Sequence, residues 1–392
     1  MIMKLKDICD FQSGGTPSKG NSEFFNGTIP WITTTALNNS KINEACATEW
    51  ITESAIVGSA AKIVPAHSIM VGTRVGVGKV AINTVKMSTN QDIISLLNID
   101  ERNWSKEYLC KFIQSKFDYL NSQSRGATIK GIKIDVVANL KITQIPLNRQ
   151  KEVSKTIDKV QKILEDRKKQ LQGLDKLVKA RFVEMFGDPQ INPYGWEVVN
   201  ISEIIAGKVS NGFFAKRDDY CNDGNVSVLG VANIVNRMYS NIDELPRTNA
   251  NSKDIEKYEV KYGDMLFCRS SLVVEGIGKA SIIPKDVKKN ILFECHVIRL
   301  PLDLNKCVPE FIQTLSTMEF FRNQIIAQSK TATMTTIGQD GILKSNIILP
   351  SLERQKEFLD FVAQVDKSKA AVQKALDETQ LLFDSLMQEY FG

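Results

Sequence analysis

The stretch Gly72-Thr-Arg-Val-Gly-Val-Gly-Lys79 has the glycine content of a loop that cradles phosphate, with a lysine after its last glycine. A nucleotide-binding loop of that kind needs a glycine five positions before the Gly-Lys pair, to let the backbone wrap the phosphates, and a hydroxyl after the lysine, to hold Mg2+. Thr73 and Val80 stand there instead. Glu275-Gly-Ile-Gly-Lys279 fails at the same two places, with Val273 and Ala280. Both read as turns between strands whose lysine faces solvent or phosphate.

Other chemistries are tested in the same way. Asn192-Pro-Tyr-Gly195 is similar to the Asn-Pro-Pro-Tyr motif with which amino-methyltransferases hold a target amine, but it lacks the second proline and directly follows a helix stop, so it reads as a turn. No strand is followed by a Gly-x-Gly loop with an acid downstream, the mark of a nucleotide fold. The histidines, His67 and His296, are isolated among strands, and the seven cysteines contain no Cys-x-x-Cys pair. Neither a metal cluster, a nucleophile–base pair nor a disulfide framework is indicated. The cysteines read as buried, reduced thiols.

Binding chemistry is better represented. Gln123-Ser-Arg-Gly-Ala-Thr-Ile-Lys-Gly-Ile-Lys133 and Gln328-Ser-Lys-Thr-Ala-Thr-Met-Thr-Thr336 each combine hydroxyls, glycines and basic side chains in one loop. Backbone N–H groups, Ser and Thr hydroxyls, Lys and Arg all donate to phosphate oxygens, so the mixture suits the backbone of double-stranded DNA. In the first half of the chain the DNA-binding candidates are Thr16, Ser18, Lys19, Thr33, Thr34, Asn38, Arg74, Lys79, Arg125, Thr128, Lys130 and Lys133. In the second half they are Lys216, Arg217, Asn233, Arg269, Ser270, Lys279, Lys330 and Thr333. Each taken alone reads first as a solvated surface residue.

Something must position these residues, and the chain shows what by repeating itself. Val183-Glu-Met-Phe-Gly187 returns as Gln388-Glu-Tyr-Phe-Gly392, and Arg149-Gln-Lys-Glu152 as Arg354-Gln-Lys-Glu357, both 205 positions later. The two Gln-Ser-basic-x-Ala-Thr segments obey the same offset, and Leu5-Lys6-Asp7-Ile8 resembles Ile201-Ser202-Glu203-Ile204. Such a period marks a tandem repeat. A length of 392 residues and 43% hydrophobic content fit two to four globular domains. No apolar run reaches the roughly 18 residues of a membrane span and the N-terminus lacks the apolar stretch of a signal peptide, so a cytoplasmic protein without a membrane partner is expected. The net charge of +5 is compatible with a nucleic-acid partner.

Within each repeat, short β-type runs precede a helical part. Residues 61–64, 68–71, 79–82 and 92–97 read as strands between Gly, Pro and Asn turns, with partners at 258–261, 264–267, 279–283 and 296–300. Helices are expected over 105–123 and 309–328, giving a mixed α/β domain twice. In the long helices, Val153, Ile157, Val160, Leu164, Arg167, Leu171, Leu174, Val178, Arg181 and Met185 recur in steps of four and three, as do Phe358, Val362, Val365, Lys369, Val372, Leu376, Thr379, Phe383, Leu386 and Tyr390. That is the seam of a coiled coil, and two helices of about 40 residues would each span roughly 60 Å. The first leads out of one domain and the second must return, so an antiparallel pair with approximate twofold symmetry is expected. Ile163, Leu177, Phe182, Phe361, Leu381, Leu382 and Met387 lie outside the seam, and part of this stripe is expected to be covered by the chain's own domains or by a partner's helices.

The order of these parts resembles the specificity subunit of type I DNA restriction–modification enzymes: variable domain, helix with Arg149-Gln-Lys-Glu and Phe186-Gly-Asp-Pro189, variable domain, helix with Arg354-Gln-Lys-Glu and Phe391-Gly392. Gly15-Thr-Pro-Ser18, Asn90-Gln-Asp92 and Gly126-Ala-Thr-Ile-Lys-Gly131 match locally, while Asn90-Gln-Asp92 has no clear counterpart around Phe293-Glu-Cys-His296. The resemblance implies an α+β fold with a pseudo-twofold internal repeat. Target-recognition domains would span 1–146 and 189–350, separated by antiparallel coiled-coil helices at 147–188 and 351–392. It implies a non-catalytic subunit that reads one DNA half-site per domain, with the helices as ruler and docking surface for two methyltransferase subunits. S-adenosylmethionine would sit on those partners rather than on this chain, and restriction subunits would join through them. The alternatives are a coiled-coil adaptor or decoy without sequence-specific DNA binding, or an enzyme with an unrecognised site.

Overall fold

The computed structural model describes residues 1–38, 40–126 and 130–392. They form two compact units, residues 1–167 with 375–392, and residues 168–374.

Each unit is built on the same two sheets. In the first, Asp10–Ser13, Ile93–Leu97, Ile69–Gly72, Val80–Asn83 and Lys41–Ile42 lie side by side in that order. Ile69–Gly72 and Val80–Asn83 are buried on both faces, which is why they read as unbroken apolar runs rather than as alternation. The second unit repeats the order with Ser210–Asn211, Val297–Pro301, Asp264–Cys268 and Ala280–Ile282. The other sheet of each unit pairs an early strand in parallel with a late one: Phe25–Ile32 with Met87–Thr89, and Val226–Leu229 with Ile291–Phe293. Ile2–Lys4 then pairs with Lys141–Thr143, and Val198–Asn200 with Asn346–Ile348, so each repeat starts beside the strand that leads into its long helix.

Those helices run Leu147–Phe186 and Leu352–Phe391. In the first unit's core, Val153 and Ile157 of the central helix share a cluster with Phe383, Met387, Tyr390 and Phe391 of the C-terminal one. In the second unit, Val178, Phe182, Met185 and Phe186 share a cluster with Phe358, Val362 and Val365. Residues early in one helix lie beside residues late in the other, so the pair is antiparallel within each unit. Gly187, at φ +76°, ends the central helix; its N–H donates to the Val183 carbonyl at 2.8 Å, and a Cβ there would sit 2.3 Å from Pro193 Cγ.

The Arg-Gln-Lys-Glu signature has a structural cause. Gln150 is fully buried, accepting from the Ser105 N–H at 2.9 Å and donating to the carbonyls of Asn103 (2.9 Å) and Ile145 (2.8 Å). Gln355 does the same for the Val308 N–H (2.8 Å) and the Pro350 carbonyl (2.7 Å). Each glutamine clamps its long helix to the start of an earlier short helix, Lys106–Ser115 in one unit and Pro309–Ser316 in the other, where backbone N–H groups lack intrahelical partners.

Several expectations are corrected. Residues 258–261 do not form a strand: Tyr258 ends the helix Ser252–Tyr258. The helix expected over 105–123 is two, Lys106–Ser115 and Phe117–Ser122, broken at Lys116, whose ammonium turns to the Phe391 carbonyl. That over 309–328 is also two, Pro309–Ser316 and Glu319–Gln328, because Thr317 and Met318 close the first with tight bonds to Thr314 and Leu315. Of the apolar residues outside the seam, two are covered by the chain itself, one of the two readings left open for them: Phe182 is wholly buried among Phe186, Phe311 and Phe358, and Phe361 lies under the Arg181 guanidinium at 5.6 Å. Ile163, Leu177, Leu381 and Leu382 stay exposed, and Val183, not picked out from sequence, joins them. Burial pushes the thiols of Cys9, Cys110 and Cys307 up to about 12; Cys46, Cys221 and Cys295 are only partly buried. No helix among the described residues is long and apolar enough to cross a membrane.

Candidate nucleic-acid interface

The two Gly-x-Gly-Lys stretches are hairpin loops closed alike. In the first unit the Gly72 N–H donates to the Lys79 carbonyl (2.8 Å) and the Gly78 N–H to the Gly72 carbonyl (3.0 Å); in the second the Cys268 N–H donates to Lys279 and the Gly278 N–H to Cys268, both at 2.8 Å. The lysines do not simply point into solvent. Lys79 Nζ donates to Asn38 Oδ1 at 2.7 Å, and Lys279 Nζ to Asn236 Oδ1 at 2.7 Å. Each ammonium is thus fixed against the loop that follows the parallel strand, with two further N–H donors. Asn236 was missed in the sequence because loop lengths differ and no fixed offset links it to Asn38.

A set of backbone bonds builds the rest of the platform. In the first unit Gly14 N–H donates to Ile93 (3.0 Å), Gly15 to Thr89 (2.9 Å), Asn90 to Ile32 (3.0 Å), Thr73 to Asp92 (2.7 Å) and Ile132 to Thr73 (2.9 Å). In the second Gly212 donates to Val297 (3.1 Å), Phe213 to Phe293 (2.7 Å), Glu294 to Leu229 (2.9 Å), Arg269 to His296 (2.8 Å) and Ile337 to Arg269 (3.0 Å). The lists correspond bond for bond. Glu294-Cys295-His296 therefore occupies the place of Asn90-Gln91-Asp92, a match absent from the side chains. Gly14 and Gly212 are needed because a Cβ would lie 2.1 Å from Thr89 Oγ1 in one case and 2.2 Å from the Glu294 carbonyl in the other.

On this common backbone the side chains differ. Thr16 hydrogen-bonds Gln91, and Arg74 Nη1 lies 3.8 Å from Asp92 Oδ1. Arg125 exchanges backbone bonds with Gly131 (2.9 and 3.0 Å), which also bridges Arg74, so Arg74 and Arg125 are brought together with Lys133 just beyond. In the second unit Phe214, 68% exposed, stands where the first has Thr16. Ser270 takes the place of Arg74, and its Oγ lies 2.7 Å from His296 Nδ1, so a hydrogen bond replaces an ion pair. Ser270 and Lys330 both pair with Thr336 in a small sheet, which brings the second Gln-Ser-basic segment beside Arg269. Phe214 also escaped the sequence reading, although an aromatic pair next to Lys216-Arg217 was a usable signal.

Other candidates are less well placed. Thr34 is buried, Thr33 shares its hydroxyl with Thr35 (2.8 Å), and Asn233 Oδ1 accepts from the Gly230 N–H (3.0 Å), closing its own turn. Lys19 reaches Glu49 at 3.5 Å. Ser18, Lys130, Thr333, Lys216 and Arg217 are exposed, the last two on a turn closed by Asp219. Thr128 lies outside the described residues. Among the described residues, no group of three or more His, Cys, Asp or Glu side chains is placed to hold a metal ion.

Comparisons with known proteins agree with this architecture. The chain is 24% identical over 410 aligned positions to the type I restriction enzyme MjaIX specificity subunit of Methanocaldococcus jannaschii, covering 98% of this chain and 91% of that one. Its fold is similar to the S subunit of a type I restriction-modification system from M. genitalium, with a TM-score of 0.56, 12% identity, and coverage of 100% and 96%. It is also similar to a chain solved in work on complex assembly and conformational transition of the type I R-M system, with a TM-score of 0.60, 16% identity, and coverage of 100% and 97%. The family model described as the type I restriction modification DNA specificity domain matches residues 1–173 and again 193–379, once per repeat. The chain belongs to that family, and carries its domain twice.

Proposed function

We propose that this chain is the DNA-reading subunit of a type I restriction–modification enzyme, in which each unit recognises one half of a split duplex target. The observation that carries the reading is the platform itself: one backbone scaffold built twice, bearing Thr16, Arg74 and Asp92 in one unit and Phe214, Ser270 and His296 in the other. A scaffold kept constant under changing side chains suits two different half-sites, because base edges are read by side chains while phosphate contacts set register. Lys79, Lys279, Arg125, Lys133 and Lys330 are the proposed phosphate contacts, with Arg74, Arg269 and Ser270 nearer the bases.

The exposed residues Ile163, Leu177, Val183, Leu381 and Leu382 on the long helices are the proposed docking surface for two methyltransferase subunits. Catalysis and S-adenosylmethionine belong to those partners, which also recruit the restriction subunits. The chain then acts where the DNA is, in the cytoplasm. The test is reconstitution with its methyltransferase partner, followed by mapping of methylated bases by direct sequencing. A single split sequence should be methylated, and methylation without a defined split sequence overturns the reading. A mere adaptor would bind the partner yet confer no sequence preference.

A further inference from the structure

The repeat provides an internal control for one cavity. Where the Gly-x-Gly-Lys turn meets the long helix, each unit has a cleft, of about 530 Å³ in the first and about 360 Å³ in the second. In the first, the charges lining it balance, Lys79 against Glu165. In the second, Lys179, Arg237, Lys279, Arg322 and Lys369 line the cleft with one carboxylate, Asp175. Of these five cations Lys369 alone is ion-paired among the described residues, at 2.7 Å from Asp175 and 3.9 Å from Asp366. Arg322 Nη2 donates to the Glu275 carbonyl at 3.2 Å, while its Nη1 is buried and has no hydrogen-bond partner among the described residues. Burial lowers the Arg322 pKa from the usual guanidinium range, as expected for a cation held without a counter-charge.

Four cations without an ion-pair partner around one hollow repel one another. That repulsion is relieved by an anion with several acceptor oxygens. We propose that this cleft binds a phosphoryl group, with Arg322 and Arg237 as its principal donors and Lys279 and Lys179 as flanking charges. Guanidinium forks match phosphate oxygens two at a time, which makes the arginines the discriminating residues. The phosphoryl group comes either from the backbone of a bound duplex or from a free phosphate compound. The first source rests on the DNA-reading function proposed above; the second does not.

The full-length chain is titrated with inorganic phosphate by calorimetry, alongside Arg322→Met and Arg237→Ala. Arg237 is exposed, so its variant keeps the fold, which thermal melting verifies. One phosphate should bind per chain, not two, and either substitution should weaken it by about tenfold or more. Phosphate that competes with the split-target duplex, together with weaker duplex binding by Arg237→Ala, identifies the backbone as the source. Phosphate binding with duplex affinity untouched identifies a free compound. Absence of saturable phosphate binding together with unchanged duplex affinity in both variants overturns the proposal, and intact site-specific methylation in those variants would leave the DNA-reading assignment standing.

Discussion

Phe391 packs its ring against Tyr108 with centroids 5.2 Å apart, and Phe186, at the matching point of the other repeat, packs against Phe311 at 4.9 Å. Each helix end is buried in the unit built by the other repeat's strands: Phe186 in the second, Phe391 in the first. The doubled Phe-Gly is thus an exchange of anchors, and each unit's core needs residues from both long helices. Phe391→Ala should cost about 3–5 kcal/mol, the usual penalty for emptying a buried aromatic site. Hydrogen exchange should quicken in Lys106–Ser115 of the first unit and remain unchanged in Asp264–Cys268 of the second. Equal loosening of both units would contradict the assignment.

The buried glutamines give a second test. Gln150→Leu keeps the volume but leaves the Ser105 N–H and two carbonyls without their partner, at about 1–3 kcal/mol for each group left unmet. Urea unfolding followed by a probe in the first unit should show that loss, and Gln355→Leu should show its counterpart in the second. A change under about 0.5 kcal/mol would mean water replaces the amide.

What was legible in the sequence follows from this. The long helices announce themselves because their burial is periodic along the chain: Val153, Ile157, Val160 and Leu164 are all buried at the expected steps. Ile69–Gly72, Val80–Asn83 and Ile93–Leu97 were legible as buried apolar runs, whereas Met87–Thr89 and Ile291–Phe293, just as buried, are too short to form a run that stands out. Residues 258–261 misled because Tyr-Glu-Val-Lys alternates like a half-buried strand, whereas Tyr258 in fact closes a helix. The correspondence of His296 with Asp92 was illegible because it is made by main-chain bonds, which leave the side chain free to change. Lys79 and Lys279 were found from glycine spacing, but their asparagine partners lie on separate loops about 40 residues earlier, at 41 and 43 positions.

The lysine–asparagine pairs make the third prediction. Lys279→Ala removes a fixed ammonium, so duplex binding should weaken to a similar degree for matched and mismatched sequences. The slope of log affinity against log salt should fall by about 0.9 for one lost phosphate contact. A loss confined to the matched sequence would assign Lys279 to a base edge instead.

Stability should also depend on pH through Asp264. Burial pushes its carboxyl up to about 6, opposed by Arg299 at 4.0 Å and the Lys261 N–H at 2.8 Å. Between the ordinary carboxylate range and that value the folded protein keeps a proton that the unfolded chain has lost, so stability falls as pH rises through the window and is level above it. The fall is on the order of 3 kcal/mol. Asp264→Asn retains an acceptor for the Lys261 N–H and should flatten this dependence. Urea midpoints for the second unit, compared at about pH 4 and about pH 7, decide it: a wild-type slope that survives in the variant would point to another group.

The exposed helix residues separate folding from assembly. Leu381 and Leu382 are 70% and 51% exposed, so replacing both with glutamate should change stability by no more than about 0.5 kcal/mol. If these leucines meet apolar side chains of a methyltransferase subunit, two buried, unpaired carboxylates would oppose that contact strongly. The second unit keeps its exposed Leu177 and Val183, so the surface proposed for docking there is unaltered. Mass measurement of the reconstituted complex should then show one methyltransferase copy in place of two, with the melting temperature of the free chain preserved. Two retained copies would move the docking surface off this face of the C-terminal helix.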